Sequence, residues 1–235
     1  MPRSRLDDRI DVDSDFEGLA VSGASMRILN PAVEADLRDG RPLRLNLGGG
    51  QREKPGFYNV DCVEMPGVDI LADLEQPLTA LPDNSVVEIY SRHVLEHIGR
   101  FTQLVAELHR VTRPEGTLEI IVPHFSNPYA YSDPTHVRFF GLYSFFYYAD
   151  AADQPRRKVP TFYTSVRFRV ESVRLQVLKV SWLDKIARWL SQPLLNRGVE
   201  WMDWYERRLC RFFPVSDIRY VLRPVKKTAP TALAA

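Results

Sequence analysis

The chain has 235 residues, 45% hydrophobic and 26% charged, with a net charge of +1. It is long enough to bury its own core without disulfides, and a balance this close to neutral leaves no electrostatic footprint for nucleic acid. Its two cysteines, Cys62 and Cys210, form neither a disulfide framework nor a zinc ribbon and suit a reducing compartment such as the cytoplasm.

Residues 1–25 are polar and carry Asp7, Asp8, Asp11, Asp13, Asp15 and Glu17. They contain no apolar core of a signal peptide, and no run in the chain approaches the roughly 18 apolar residues of a membrane span. They read as a flexible acidic arm. One folded domain is expected over 26–227 and a disordered tail over 228–235. A short helix ending at Gly40 opens the domain. "LRLNL", "FYNVDC", "VDILADL" and "SVVEIYSR" follow as strand candidates. Phe101, Leu104, Val105, Leu108 and Val111 recur at helical spacing, and Pro114 and Gly116 are expected to stop that helix. "TLEIIVPH" is a fifth strand, apolar enough to be central and parallel. An aromatic segment follows and is expected to form a cap over 125–165. "RFRVESVRLQVLKV" reads as a long strand, 183–213 as a helical insertion broken near Pro193 and Gly198, and "DIRYVLRPVK" as the last strand.

Strands alternating with helices predict a mostly parallel sheet covered by helices. Ligands of such sheets bind beyond the carboxyl ends of the strands, where the strand order reverses. Gly48, Gly49 and Gly50 fall at the end of the first strand. No Lys-Ser/Thr pair follows them, so they are not a P-loop. Glu53 stands where the dinucleotide fingerprint needs its last glycine, and its charge opposes a pyrophosphate. A ligand without phosphate fits better. Glycine admits close backbone approach. Asp61 ends the second strand and can accept from both ribose hydroxyls. Asp73 ends the third and can accept from an adenine amino group, with Leu74 against the ring. A nucleoside held without phosphate points to S-adenosylmethionine. Each feature also has a plainer reading, as a tight turn or a strand-end cap.

"LNLGGG", "NVD", "ADL", "LPDNSVVEIYSRHVLEHI" and "ELHRVTRPEGTLEIIVP", together spanning about residues 43–140, resemble the class I S-adenosylmethionine-dependent methyltransferases. The closest likeness is to the type 11-like group with a shortened first crossover. The resemblance implies an α/β, Rossmann-like three-layer sandwich whose mostly parallel seven-stranded sheet has an antiparallel last strand. It implies S-adenosyl-L-methionine as cofactor. It places Asn46, Gly48, Gly49 and Gly50 at the methionine end, Asp61 at the ribose, Asp73 and Leu74 at the adenine, and Arg92 and His93 beside the sulfonium. Asn46 replaces the usual acid of the motif, and Arg52 its third glycine. Eleven positions from Gly50 to Asp61 leave no room for a full crossover helix and strand.

Methyl transfer needs an aligned nucleophile, exclusion of water and a base for the acceptor's proton. The base is expected after the fifth strand, with His136 first and His124 second, and Asp133 orienting His136. "SDPTH" also reads as a helix N-cap. Arg138 can bind an anionic group or pair with a surface acid, and the aromatics of 129–148 can wall a pocket or form a core. The acceptor is expected to be a small molecule or saccharide, methylated at oxygen or nitrogen, and not a nucleic acid. No metal is required.

Two other readings stand beside this one. His93, Glu96 and His97 spell HxxEH, the inverted zinc-protease motif, which needs a helix to set both histidines on one face. A non-catalytic binding protein of the same fold would explain Asn46 and Arg52. The tryptophans and arginines of 183–213 suit helices packed on the sheet, with snorkelling arginines. They also suit a peripheral membrane contact.

Overall fold

A computed structural model describes residues 26–177 and 191–226. The acidic arm, the tail and residues 178–190, within which the helical insertion was expected to start, lie outside the described residues. The described residues form one eight-stranded sheet. In chain order the elements are β1 (Arg27–Ile28), α1 (Pro31–Arg38), β2 (Leu43–Leu47), β3 (Tyr58–Asp61), β4 (Ile70–Leu71), β5 (Val86–Arg92), α2 (Phe101–Val111), β6 (Thr112–Pro123), β7 (Phe168–Val177), α3 (Val199–Arg208) and β8 (Val215–Pro224). Short 3₁₀ turns at Leu95–His97, Pro128–Tyr131 and Phe146–Tyr148 connect them.

The strand order is β1-β4-β3-β2-β5-β6-β8-β7. Strands β4, β3, β2, β5 and β6 run parallel to one another. Strand β8 is inserted antiparallel between β6 and β7, as expected of the last strand. The fold is therefore the expected α/β Rossmann-like sheet with one strand more. The extra strand is the two-residue β1, which pairs antiparallel with β4 at the edge through Arg27 and Ile28. Its pattern is too short to register in a periodicity reading.

Helix α2 buries Phe101, Leu104, Val105, Leu108 and Val111, the stripe its spacing predicted. It ends earlier than Pro114 and Gly116 suggested. Both lie inside β6, where the register with β5 shifts between Val86 and Glu88. Gly116 belongs to this irregularity, because a Cβ there would sit 2.9 Å from the Val87 carbonyl oxygen. In the insertion, Pro193 lies within helical residues 191–195, and Gly198 caps α3.

The aromatic segment divides in two. Phe140, Tyr143, Phe145, Phe146 and Tyr148 join the hydrophobic core, while Tyr129, Tyr131 and Phe139 are exposed. The chain leaves β2 for β3 and β4 on one side, then returns to β5 on the other. The order therefore reverses between β2 and β5, with Gly48 beyond one strand and His93 beyond the other. No helix among the described residues is long and apolar enough to cross a membrane.

Candidate active site

The glycine turn is shaped by what lies under it. Gly48 has φ +61°, and its N–H donates to the Val60 carbonyl at 2.8 Å. A Cβ on Gly48 would run into the Val94 side chain. A Cβ on Gly49 would stand 2.6 Å from Asn46 Nδ2 and 2.7 Å from Asn59 Oδ1. Asn46 Nδ2 donates to Asn59 Oδ1 at 2.7 Å and to the Arg52 carbonyl at 3.0 Å. Asn46 thus braces the loop from beneath, a task for which an amide donor suits better than a carboxylate. Residues 48–57 contain no helix, as the short spacing to Asp61 required.

Two cavities meet at Gly48. One, of about 290 Å³, is lined by Val60, Asp61, Cys62, Asp73, Leu74 and His93, with Val94, His97 and Ile98 completing its far wall. Asp61 accepts from Gly50 N–H at 2.9 Å through Oδ2 and from Val63 N–H at 3.1 Å through Oδ1. Each carboxylate oxygen keeps a lone pair for a further donor. Asp73 Oδ1 accepts from Glu75 N–H at 2.9 Å, so Asp73 is also the turn former that the plainer reading suggested.

The other cavity, of about 250 Å³, is lined by Asn46, Gly49, Arg52, Glu53, Lys54 and Arg92, together with Tyr90. Lys54 Nζ sits 4.1 Å from the Tyr90 ring centroid and 4.8 Å from that of Phe57. The expected cofactor residues therefore gather around one turn: Asp61, Asp73, Leu74 and His93 on one side, Asn46, Gly49 and Arg92 on the other. Gly48 lines both cavities, and Gly50 is tied to Asp61. Cys62, Ile98, Tyr90 and Lys54 line the cavities without having been singled out, since no expected cofactor contact falls on them.

Beyond β5 the chain is strained. His93 has φ +55°, rare for a side chain with a Cβ, and its N–H donates to Ile121 O at 2.9 Å. A 3₁₀ turn over Leu95–His97 follows in place of a helix. His93 and His97 therefore share no α-helical face, and the zinc-protease geometry of HxxEH is not formed. Glu96 is 1% exposed, and neither of its carboxylate oxygens has a hydrogen-bond partner. His93 Nδ1 lies 3.4 Å from Glu96 Oε1, and its Nε2 lies 3.6 Å from Asp217 Oδ1.

The three acceptor-side candidates separate. His136 joins this cluster: its ring lies 4.8 Å from that of His97, edge-on, and its Nδ1 donates to the Ala130 carbonyl at 2.8 Å. His124 does not join it. It is fully buried, its Nδ1 accepts from Ser126 N–H at 3.1 Å, and its Nε2–H donates to Glu206 Oε1 at 3.0 Å. With both nitrogens engaged, His124 holds the cap to α3 and has no path to an acceptor's proton. Asp133 orients something other than His136. Its Oδ1 accepts from Thr135 N–H at 2.9 Å and from the Thr135 hydroxyl at 2.6 Å, while Oδ2 is 3.6 Å from His136 Nε2. Those Thr135 hydrogen bonds hold its carboxyl below the ordinary aspartate range. No helix follows, so "SDPTH" is an Asx turn and not an N-cap. Arg138 lies with its guanidinium carbon 4.7 Å from the Phe101 ring centroid and donates to the Gly99 carbonyl at 3.1 Å.

No curated protein matches the chain in sequence. Solved structures similar to it include a SAM-dependent methyltransferase from Archaeoglobus fulgidus, at 17% identity, 82% of this chain, 93% of that one and a TM-score of 0.44. The YcgJ protein from Bacillus subtilis is similar at 13% identity, 84% and 99% coverage and a TM-score of 0.47. Phosphoethanolamine N-methyltransferase 2 of Haemonchus contortus, in complex with S-adenosyl-L-methionine, is similar at 12% identity, over 84% of this chain and 53% of that one, with a TM-score of 0.41. Residues 55–120 match the family described as "Methyltransferase domain". That match runs from the glycine turn's exit through Asp61, Asp73 and the His93 turn into β6, so the stretch that crosses the point where the strand order reverses is similar to a methyltransferase domain.

Proposed function

We propose that the chain methylates an oxygen or nitrogen of a small-molecule or saccharide acceptor, with adenosine in the 290 Å³ cavity and the methionine end in the 250 Å³ cavity. The observation that carries this is the division of charge about Gly48. The first cavity offers the acceptors Asp61 and Asp73 and the apolar Leu74, which suit ribose hydroxyls, an adenine amine and its ring. The second offers Arg92, Arg52 and Lys54 beside Glu53, which suit the carboxylate and ammonium of an amino acid. Arg92 is better matched to that carboxylate than to the sulfonium, whose positive charge it would repel.

S-adenosylmethionine supplies an electrophilic methyl group, which the acceptor's lone pair takes as the sulfur–carbon bond breaks and its electrons return to sulfur. The chain must hold the acceptor in line and handle its proton. We assign this role to His136. Its Nδ1–H is spent on Ala130, which in the neutral ring leaves Nε2 with a lone pair, 3.6 Å from Asp133 Oδ2. The exposed rings of Tyr129, Tyr131 and Phe139 flank it in sequence and offer faces on which a sugar or a ring can stack.

Thermal unfolding with S-adenosylhomocysteine tests the reading. Ligand at about 100 times Kd adds about 2.7 kcal/mol, and each kcal/mol raises Tm by roughly 2–4 °C at this chain length. Asp61→Ala removes two charge-assisted hydrogen bonds and should weaken binding by about 100-fold or more. No rise in the wild-type protein at millimolar ligand would overturn the cofactor assignment.

A further inference from the structure

We propose that Glu96, His97 and His136 bind a divalent transition-metal ion of zinc's class, and that an oxygen of the methyl acceptor completes its coordination. The first part stands on the geometry alone, and the second rests on the methyltransferase reading above. One donor atom from each of the three residues falls within 4.8 Å of the other two. Bonds of about 2.0–2.2 Å to a common ion need a somewhat tighter grouping, within reach of side-chain adjustment.

Glu96 is the independent pointer. A carboxylate that is 1% exposed and has no hydrogen-bond partner on either oxygen is an uncompensated buried charge. His93 Nδ1, at 3.4 Å, approaches Oε1 without bonding to it. A cation is the species that satisfies such a group.

Each histidine has one ring nitrogen held by a hydrogen bond outside the cluster. Ala130 O can only accept, so His136 Nδ1 carries a proton, and in the neutral ring Nε2 is the nitrogen with a lone pair. The Thr135 hydroxyl gives its hydrogen to Asp133 Oδ1 at 2.6 Å, so its oxygen accepts from His97 Nδ1 at 2.9 Å. That leaves His97 Nε2 bare as well. Both rings therefore make the outer hydrogen bond that metal-bound histidines make to carbonyls or hydroxyls, which fixes tautomer and orientation. Asp133 Oδ2, 3.6 Å from His136 Nε2, adds a second negative charge facing a lone pair, an arrangement that a cation relieves.

Two imidazoles and one carboxylate suit zinc, iron, cobalt or manganese, and not magnesium or calcium, which prefer oxygen alone. The set leaves coordination positions open. His93 and His97 also line the adenosine cavity, so an acceptor on the ion would lie beside the cofactor. With the ion bound, His136 Nε2 serves as a ligand in place of a base, and the bound hydroxyl loses its proton to water more readily. The resulting oxygen then forms the new carbon–oxygen bond while the sulfur–carbon pair returns to sulfur. These three ligands differ from the HxxEH set, since His136 replaces His93.

The test is metal uptake by the full chain, measured by elemental analysis after dialysis and by the visible ligand-field spectrum with Co²⁺. One ion per chain is expected, with a spectrum of mixed nitrogen and oxygen ligation. Glu96→Gln and His136→Ala should each weaken Zn²⁺ binding by more than about 100-fold, and Thr135→Val, which touches no ion, by about 10–100-fold. Without metal, Glu96→Gln should melt above the wild-type protein, because it removes a stranded charge. Added Zn²⁺ should then raise only the wild-type Tm. Absence of stoichiometric uptake, or uptake unchanged in both Glu96→Gln and His136→Ala, would overturn the site. S-adenosylhomocysteine binding, read in parallel, separates the two proposals: Asp61→Ala loses that ligand and keeps the ion.

Discussion

The two halves of the site are built differently. On the cofactor side, Gly48, Gly50, Val63 and Glu75 donate backbone N–H groups to Val60 O, Asp61 and Asp73, all within one stretch of chain from β2 to just past β4. On the acceptor side, Glu96 and His97 of the turn after β5 meet Thr135 and His136 of the cap, and Asp217 on β8 faces His93. Val137 N–H donates to the Glu96 carbonyl at 2.9 Å and ties the cap to the turn after β5. A site made of backbone within one chain segment is fixed as soon as its strands pair. A site made of side chains from distant segments exists only once the whole fold has closed.

That contrast predicts where each half breaks. His136→Ala should lower methyl transfer by about 10²–10⁴ while leaving S-adenosylhomocysteine affinity unchanged. Loss of both together would mean that the halves are not separable. Gly49→Ala should act on the other half. Its Cβ displaces the buried Asn46–Asn59 hydrogen bond, at a cost of about 1–3 kcal/mol, and should lower both Tm and cofactor affinity. An unchanged affinity in Gly49→Ala would show that Asn46 does not shape the methionine cavity.

The same contrast explains what was legible in the sequence. The glycine turn, Asp61 and Asp73 sit at strand ends, and strand ends show as breaks in a period-two pattern. The missing crossover helix followed from spacing alone. Glu96 is different: only the HxxEH spelling marks it in the sequence, and its burial follows from a 3₁₀ turn that no periodicity announces. Asp133 is matched to His136 by proximity in sequence, but its hydrogen bonds go to Thr135, whose hydroxyl in turn meets His97 Nδ1. His124 was expected at an open strand end. It is covered by Glu206 of α3, 82 residues further on, a contact that only tertiary packing decides. The described part of the 183–213 insertion adds one surface feature, exposed Phe212 and Phe213 following Arg207, Arg208 and Arg211.

Cys62 offers the gentlest probe, since it reports on the cofactor cavity without altering it. It lines that cavity and is exposed, whereas Cys210 is buried and donates to the Glu206 carbonyl at 3.0 Å. Burial, and then the neighbouring Asp61 carboxylate, push the Cys62 thiol above the ordinary cysteine range. The thiolate is the reactive form, so alkylation should be slow near neutral pH and should accelerate as pH rises past that raised value. Asp61→Ala removes the neighbouring charge and should shift the rate profile to lower pH. S-adenosylhomocysteine should block labelling in the wild-type protein at every pH, because adenosine would cover the thiol. Mass spectrometry of the alkylated chain should therefore find one label, on Cys62, that disappears with ligand. A label that persists at saturating ligand would place the adenosine elsewhere, even if binding itself were retained.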